Sequence, residues 1–259
     1  MDLGGAIGRM VGVLLAPAAA VGSFVRGARI FHPDGVVYRA DVHPDVTQGV
    51  LGKLARRLAG RALVRFSGGL RRDKAGTSPR DVLGVALRFN TPQGADPAPG
   101  PRAQDLLLLS FQHLWQLPSA ALLTNPRDFL ANDYHAILPF RVGRLGVVKF
   151  RIVPEVGAVA AAGDEEMGRV ERLSRAVRQG RAVLRLQVVG AERGADWMAL
   201  ATVVLRESVD IDQADLRFTP FHAGAGIAPV GFLQGMRWAV YPASQAGRDL
   251  RRRLGRRRS

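Results

Sequence analysis

Apolar positions along most of this chain recur at strand spacing. VVYRADV (36–42), RALVRFS (61–67), VLGVALRFN (82–90), LLLLSF (106–111), GVVKFRIV (146–153), AVLRLQVV (182–189) and LATVVLRE (200–207) alternate or run apolar over strand length. That many strands predict a barrel or a large sheet. The polar, turn-rich TPQGADPAPGPRAQ (91–104) reads as a loop between two of them. Helical spacing is confined to VLGKLARRLAG (50–60), EEMGRVERLSRAVRQG (165–180) with Gly180 as its stop, and VGFLQGMRWAV (230–240). Strands dominate and helices stand apart from them, so the class is α+β rather than a wound parallel sheet. There is no internal repeat.

Composition narrows the chemistry. The chain has 259 residues, 47% of them hydrophobic, enough for one substantial core. It has no cysteine, which excludes disulfides, thiolate metal sites, cysteine nucleophiles and a cysteine-ligated iron. The formal charge is +15, but seven arginines against Asp249 between Arg248 and Arg258 make a local +6, leaving +9 elsewhere. Such a tail can touch anionic lipid or nucleic acid; with no aromatic residues interleaved for base stacking, a solvated terminus is the better reading and a nucleic-acid partner is not expected. Residues 10–25 are nearly uncharged, yet too short and too interrupted by Pro and Gly to span a bilayer. They read as an N-terminal helix packed on the body or resting loosely on a membrane surface.

The five histidines, His32, His43, His113, His135 and His222, form no pair at metal-binding spacing. No GxGxxG, GxxxxGK[ST] or GxSxG motif is present, which removes the commonest nucleotide enzymes and serine hydrolases. Two small constellations remain. RIFHPDG (29–35) sets Arg29 and His32 before a turn and a strand. GMRWAVYPASQAGR (235–248) sets Arg237 four residues before Tyr241 and Arg248 seven after it, one face of a helix. Taken singly, a surface histidine and an ordinary basic helix would explain them.

Together with the segments between, they resemble the haem catalase superfamily. Arg29 and His32 match the family's arginine and distal histidine. RFSGG (65–69) matches its arginine-phenylalanine-serine step, and PRDVLGVALRFNTPQG (79–94) a following conserved run. MGRVERLSRAVRQGRAVLRLQVV is similar to a helix, glycine turn and strand of that fold, and FLQGMRWAVYPASQAGR to its proximal helix. The resemblance runs in order from about residue 29 to 248, without the family's N-terminal arm and C-terminal additions.

The resemblance implies an α+β fold, a catalase-like antiparallel β-barrel with flanking helices forming a minimal single-domain core. It divides the chain into an apolar segment 1–28, a haem-binding domain 29–248 and an arginine-rich tail 249–259. The implied cofactor is haem b (iron protoporphyrin IX). Tyr241 would be the axial iron ligand, its phenolate favoured by the iron and by Arg237 one turn away. Arg29, Arg65 and Arg248 would pair with the propionates. His32 would act as general acid and base, and Ser67 would orient its ring.

One departure bears on activity. Where the family carries an asparagine over the haem, this chain has Leu109 within DLLLLSFQ (105–112), and Ser110 or Gln112 could replace it only with a shift of register. The family's haem-covering phenylalanine is Ala120 here. The expectation is therefore a haem peroxidase that reduces hydrogen peroxide or organic hydroperoxides with an organic donor and has weak or no catalase activity. The alternatives are an allene-oxide-synthase-like enzyme that rearranges hydroperoxides and a non-enzymatic haem-binding protein. The expected partners are a peroxide and a small organic or lipid substrate, with weak membrane-surface contact through the termini, a cytoplasmic location, and oligomeric state left open.

Overall fold

The structure, a computed structural model, describes residues 35–69, 80–92, 99–116, 119–155, 167–190, 192, 194–211, 216, 218–219 and 221–230. Residues Asp34–Ala228 form one compact unit. Its frame is β1 (Gly35–Pro44), β2 (Gly60–Gly68), β3 (Leu83–Phe89), β4 (Gln104–Leu109), β5 (Tyr134–His135), β7 (Gly146–Pro154), β8 (Val183–Gly190) and β9 (Met198–Ser208). Each pairs antiparallel with the next, β5 passing to β7 and β9 returning to β1, so the eight close into a barrel. β6 (Phe140–Val142) and β10 (Ile227–Pro229) extend the sheet beyond β7. Register shifts in β1/β9 and β8/β9 supply the bends that closure needs.

Period-two patterning decides what lies inside. The even-numbered residues of β1 and β2 (Tyr38, Ala40, Val42; Ala62, Val64, Phe66) join Leu87 and Phe89 of β3, Phe150 of β7 and Leu186 of β8 in one core. Eight strands enclose a lumen just wide enough for side chains, and here they fill it. A ligand of any size must therefore sit outside the barrel wall.

Among the described residues, three α-helices pack on the barrel. α1 (Gly49–Leu58) follows β1 and buries Leu54, Ala55 and Leu58 against the core. A four-residue helix, α2 (Ala120–Leu123), follows β4. α3 (Arg169–Arg178) buries Leu173 and Ala176, and Arg169 at its start donates to Asp81 at 2.9 Å near the far end of β2. Its exit agrees with the glycine stop read from sequence: Gly180 sits at φ +69, where a side chain would strain the backbone.

All seven expected strands are present, and so are the helices at 50–60 and 165–180, the latter beginning at Arg169. β4 ends at Leu109 rather than 111: the Ser110 amide still donates to the Leu83 carbonyl at 2.9 Å, but the Leu83 amide donates at 3.0 Å to the Ser110 Oγ, which also bonds Thr124 Oγ1 at 2.7 Å. The helix expected at 230–240, the N-terminal segment 1–28 and the tail 249–259 lie outside the described residues, 230 excepted. Among the described residues no helix is long and apolar enough to cross a membrane.

Candidate functional site

The outer wall is not uniform. β7 and β8 alternate between buried and half-buried residues, as a wall with one wet face should, whereas β2 from Ala62 to Gly68 and all of β3 are buried on both faces. The outside of β2 and β3 is therefore where the barrel carries something. Leu216 and Phe218 cover part of it, against Val37, Leu63 and Ala86.

Arg65 and Ser67 stand on this covered face, two residues apart on β2 and only 4% and 3% exposed. The ladder sets Ser67 opposite Gly35 on one side and Gly84 on the other, with Leu109 opposite Gly84. Gly35, Ser67, Gly84 and Leu109 thus form one row of the outer wall, and its first three members raise almost no side-chain bulk. The Ser67 hydroxyl donates a long bond to the Gly84 carbonyl at 3.4 Å. Arg65 lies along the edge of the row: a Cβ built on Gly35 would sit 2.7 Å from the Arg65 guanidinium carbon and 2.6 Å from the Phe66 carbonyl oxygen. Gly35 is a glycine because the arginine passes over it.

A flat floor of small residues beside a buried guanidinium fits a planar, anionic group such as haem with its propionates. Of the expected site residues, Arg65 and Ser67 are described, side by side on the outer face of β2. Arg29, His32, Arg237, Tyr241 and Arg248 lie outside the described residues.

The register also fixes the departure at Leu109. It faces the same side as Ser67 with no slip between β3 and β4, and it packs against Val82, Phe111 and Ala120. Ser110 does not replace the missing asparagine, because its hydroxyl is consumed by Leu83 and Thr124. This flank of the floor is apolar.

The same row continues to His135 and then Arg151. The His135 ring meets Trp197 edge-on at 6.2 Å, Arg151 lies 4.5 Å over that indole, and the buried His135 Nδ1 has no hydrogen-bond partner. Burial holds the imidazole pKa below its ordinary value; the Arg151, His113 and Lys149 charges add to this and Asp133 opposes it. Nothing in NDYHAIL separates this histidine from a surface one. Only the barrel register places it three strands from Ser67.

Both described tyrosines and His222 are otherwise engaged. Tyr134 is fully buried in the barrel and donates to the Phe129 carbonyl at 2.7 Å, and burial raises its pKa well above the phenol range. Tyr38, also raised by burial, bonds Ser174 Oγ at 2.8 Å. Neither suits a metal-bound phenolate. His222 binds Asp105 at 2.9 Å, and Asp105 also accepts both arms of Arg88 at 2.8 and 2.9 Å. Gln104 donates to the His222 and Ile227 carbonyls and accepts from the Ala225 and Ile227 amides. These bonds fasten the 222–227 turn to the start of β4.

Among solved structures, the chain is similar to a bacterial catalase, with TM-score 0.54 and 15% identity over 87% of this chain and 57% of that one. It is also similar to a fungal catalase, with TM-score 0.59 and 12% identity over 85% of this chain and 59% of that one. The fold is catalase-like. No protein-family model and no curated protein matches the sequence. The chain spans under three fifths of the length of these two catalases. What is shared is the barrel fold.

Proposed function

We propose that this chain is a haem-dependent peroxidase that reduces organic hydroperoxides, and hydrogen peroxide less well, with electrons from an organic donor. The observation that carries the reading is the row of small residues Gly35–Ser67–Gly84 on the outer wall, beside buried Arg65 and followed by Leu109. Haem b bound there would supply the redox centre at which two electrons from the donor reduce the O–O bond. Tyr241 would hold its iron; two of the chain's three tyrosines are committed to the barrel interior, which supports the third. Arg237 would keep that phenol ionised, and Arg29, Arg65 and Arg248 would pair with the propionates.

The remaining chemistry is proton traffic. Reducing a hydroperoxide to an alcohol and water consumes two electrons and two protons. His32 would take the hydroperoxide's own proton and return it to the departing oxygen, and Ser67 would fix the imidazole's orientation. Leu109 in place of an amide leaves no hydrogen-bond donor there to orient a small hydrophilic peroxide, while its apolar neighbours suit an organic substituent. Catalase turnover, which needs a second hydrogen peroxide oriented in the same place, would be weak.

The test is spectroscopic first. Protein reconstituted with haem is expected to bind it with a high-spin ferric spectrum, which Tyr241→Phe alters; an unchanged spectrum removes tyrosine ligation. His32→Ala is expected to slow hydroperoxide-driven donor oxidation by about 10²- to 10⁴-fold. A haem-loaded protein inert to every peroxide would overturn the enzyme and leave a haem carrier. A rearranged product from a lipid hydroperoxide without donor would replace the peroxidase by a rearranging enzyme.

A further inference from the structure

The end of the barrel away from Ser67 carries a second candidate site. β1 and β2 run about eight residues from the Gly35/Ser67 pair to the Val42/Gly60 pair, roughly 25 Å at strand rise. There α1, the base of the β3–β4 hairpin and the 222–226 turn surround an open hollow of about 510 Å³. Among the described residues, its lining includes Lys53, Arg56, Arg57 and Arg102 and no acidic side chain. None of the four makes an ion pair among the described residues.

The helix accounts for part of this. Arg56 and Arg57 occupy the last turn of α1, where the macrodipole favours cations, and Lys53 shares their face by helical spacing. It does not account for Arg102, which arrives from a different segment. Asn90, at φ +58, donates one amide hydrogen to the Arg57 carbonyl at 3.0 Å and another to the Arg102 carbonyl at 3.1 Å, drawing the two arginine-bearing strands of backbone together. Like charges are thus held side by side by a specific bond rather than allowed to separate.

A second hollow of about 370 Å³ adjoins the first, sharing Lys53 and Arg57. Its walls are Val50, Leu54, Val142 and Leu145, with Arg144 at the rim. Val50 is 42% exposed and stands among the few large apolar side chains the described surface leaves open. A cationic cup continuous with an apolar slot is complementary to one kind of molecule, an anionic head on an apolar chain. Several cations around one cup match a doubly charged phosphate monoester better than a singly charged carboxylate, and guanidinium forks bind phosphate oxygens in pairs.

We infer that this groove binds an alkyl phosphate, its phosphate among Lys53, Arg56, Arg57 and Arg102 and its chain along Val50, Leu54, Val142 and Leu145. The site is separate from the Arg65–Ser67 floor and does not depend on the haem reading. Its ligand is held and not transformed, since the described lining offers no carboxylate, hydroxyl or imidazole beside its cations.

Isothermal titration calorimetry of the full chain at fixed ionic strength tests this. The probes are decyl phosphate below its micelle concentration, inorganic phosphate and uncharged decyl maltoside. Decyl phosphate is expected to fill one saturable site, with each of the others at least about tenfold weaker, equivalent to about 1.4 kcal/mol. Arg57→Gln with Arg102→Gln is expected to weaken decyl phosphate by about tenfold or more. Arg127→Gln with Arg178→Gln, the same charge removed from exposed sites elsewhere, is expected to leave it within about twofold. Val50→Asn is expected to weaken decyl phosphate and spare inorganic phosphate. Equal binding of inorganic phosphate or of decyl maltoside overturns the inference, as does equal loss in both arginine pairs or no saturable binding. Phosphatidate vesicles then separate the sources: sedimentation lost in the Arg57/Arg102 variant assigns a membrane headgroup, and its absence beside decyl phosphate binding assigns a free amphiphile.

Discussion

Gly35→Ala probes the contact on which the candidate site is built. The new methyl would lie 2.6 Å from the Phe66 carbonyl oxygen and 2.7 Å from the Arg65 Cζ and Nη2 atoms, and real Cβ contacts essentially never fall below 3.0 Å. The two obstacles differ in kind. The guanidinium is the far end of a flexible side chain, but it is buried and can leave only by giving up its seat. The carbonyl belongs to β2, which is paired on both sides by β1 and β3, so opening the gap from 2.6 to 3.0 Å strains a ladder fixed at both edges. Overpacking a tight interior costs about 1–3 kcal/mol, and two simultaneous clashes place this variant at about 2–3 kcal/mol. For a unit of this size that lowers Tm by about 4–12 °C.

Urea and thermal denaturation followed by circular dichroism read the loss, and a double-mutant cycle with Arg65→Ala assigns it. If the methyl acts partly by evicting the guanidinium, Gly35→Ala in the Arg65→Ala background costs about 1 kcal/mol less than in the parent; the carbonyl clash remains in both. A Gly35→Ala protein within about 0.5 kcal/mol of the parent would refute the close approach. Strict additivity in the cycle would refute the placement of Arg65 over Gly35.

Asp105→Asn is expected to destabilise by about 3–5 kcal/mol in chemical denaturation, because it removes the carboxylate charge that both arms of Arg88, 1% exposed, donate to; Arg88→Met with Asp105→Leu is expected to cost less than that single change. Folding stability is expected to fall as pH is lowered below the unfolded histidine value of about 6.5, because the depressed His135 pKa makes the unfolded chain bind a proton that the folded one refuses. His135→Phe should flatten that part of a pH-dependent denaturation series, and an unchanged slope would show that the imidazole is not buried as described. Ser67→Ala is expected to slow hydroperoxide-driven donor oxidation about tenfold in the haem-loaded protein, through loss of the hydroxyl that would orient the His32 ring. Equal activity in stopped-flow assays would remove Ser67 from the proposed proton path.

Much of the barrel was legible because its strands obey a period of two. RALVRFS and VLGVALRFN were found at nearly their true bounds, since a strand covered on both faces reads as a near-continuous apolar run. β5, β6 and β10 were not found: two or three residues contain no period to detect, and their pairing is dictated by β4 and β7 rather than by their own composition. The end of β4 was misplaced by a hydroxyl. Ser110 is neutral in any strand propensity, but its bonds to Leu83 and Thr124 turn the chain at that point, which is tertiary information.

The site was legible in a different way. Arg65 and Ser67 stood out through resemblance to a family motif, whereas their burial and the row of small residues beside them follow from register alone: Ser67 lies between Gly35 and Gly84 only because the β1–β2 and β2–β3 ladders are in that phase. The β3–β4 ladder likewise makes Leu109 unavoidable, since a one-residue slip that brought Ser110 opposite Gly84 would turn Leu106 and Leu108 of β4 out of the core. The apolar flank is thus enforced by the packing of the whole barrel rather than by a local choice at one position. Restoring a polar group there calls for a direct substitution. Leu109→Asn in the haem-loaded protein is expected to raise hydrogen peroxide turnover relative to that of a bulky hydroperoxide, because it returns a hydrogen-bond donor to a position on Ser67's face without disturbing the ladder. Steady-state kcat/KM for the two peroxides gives the ratio, and a ratio that stays fixed would mean that Leu109 does not border the reacting peroxide.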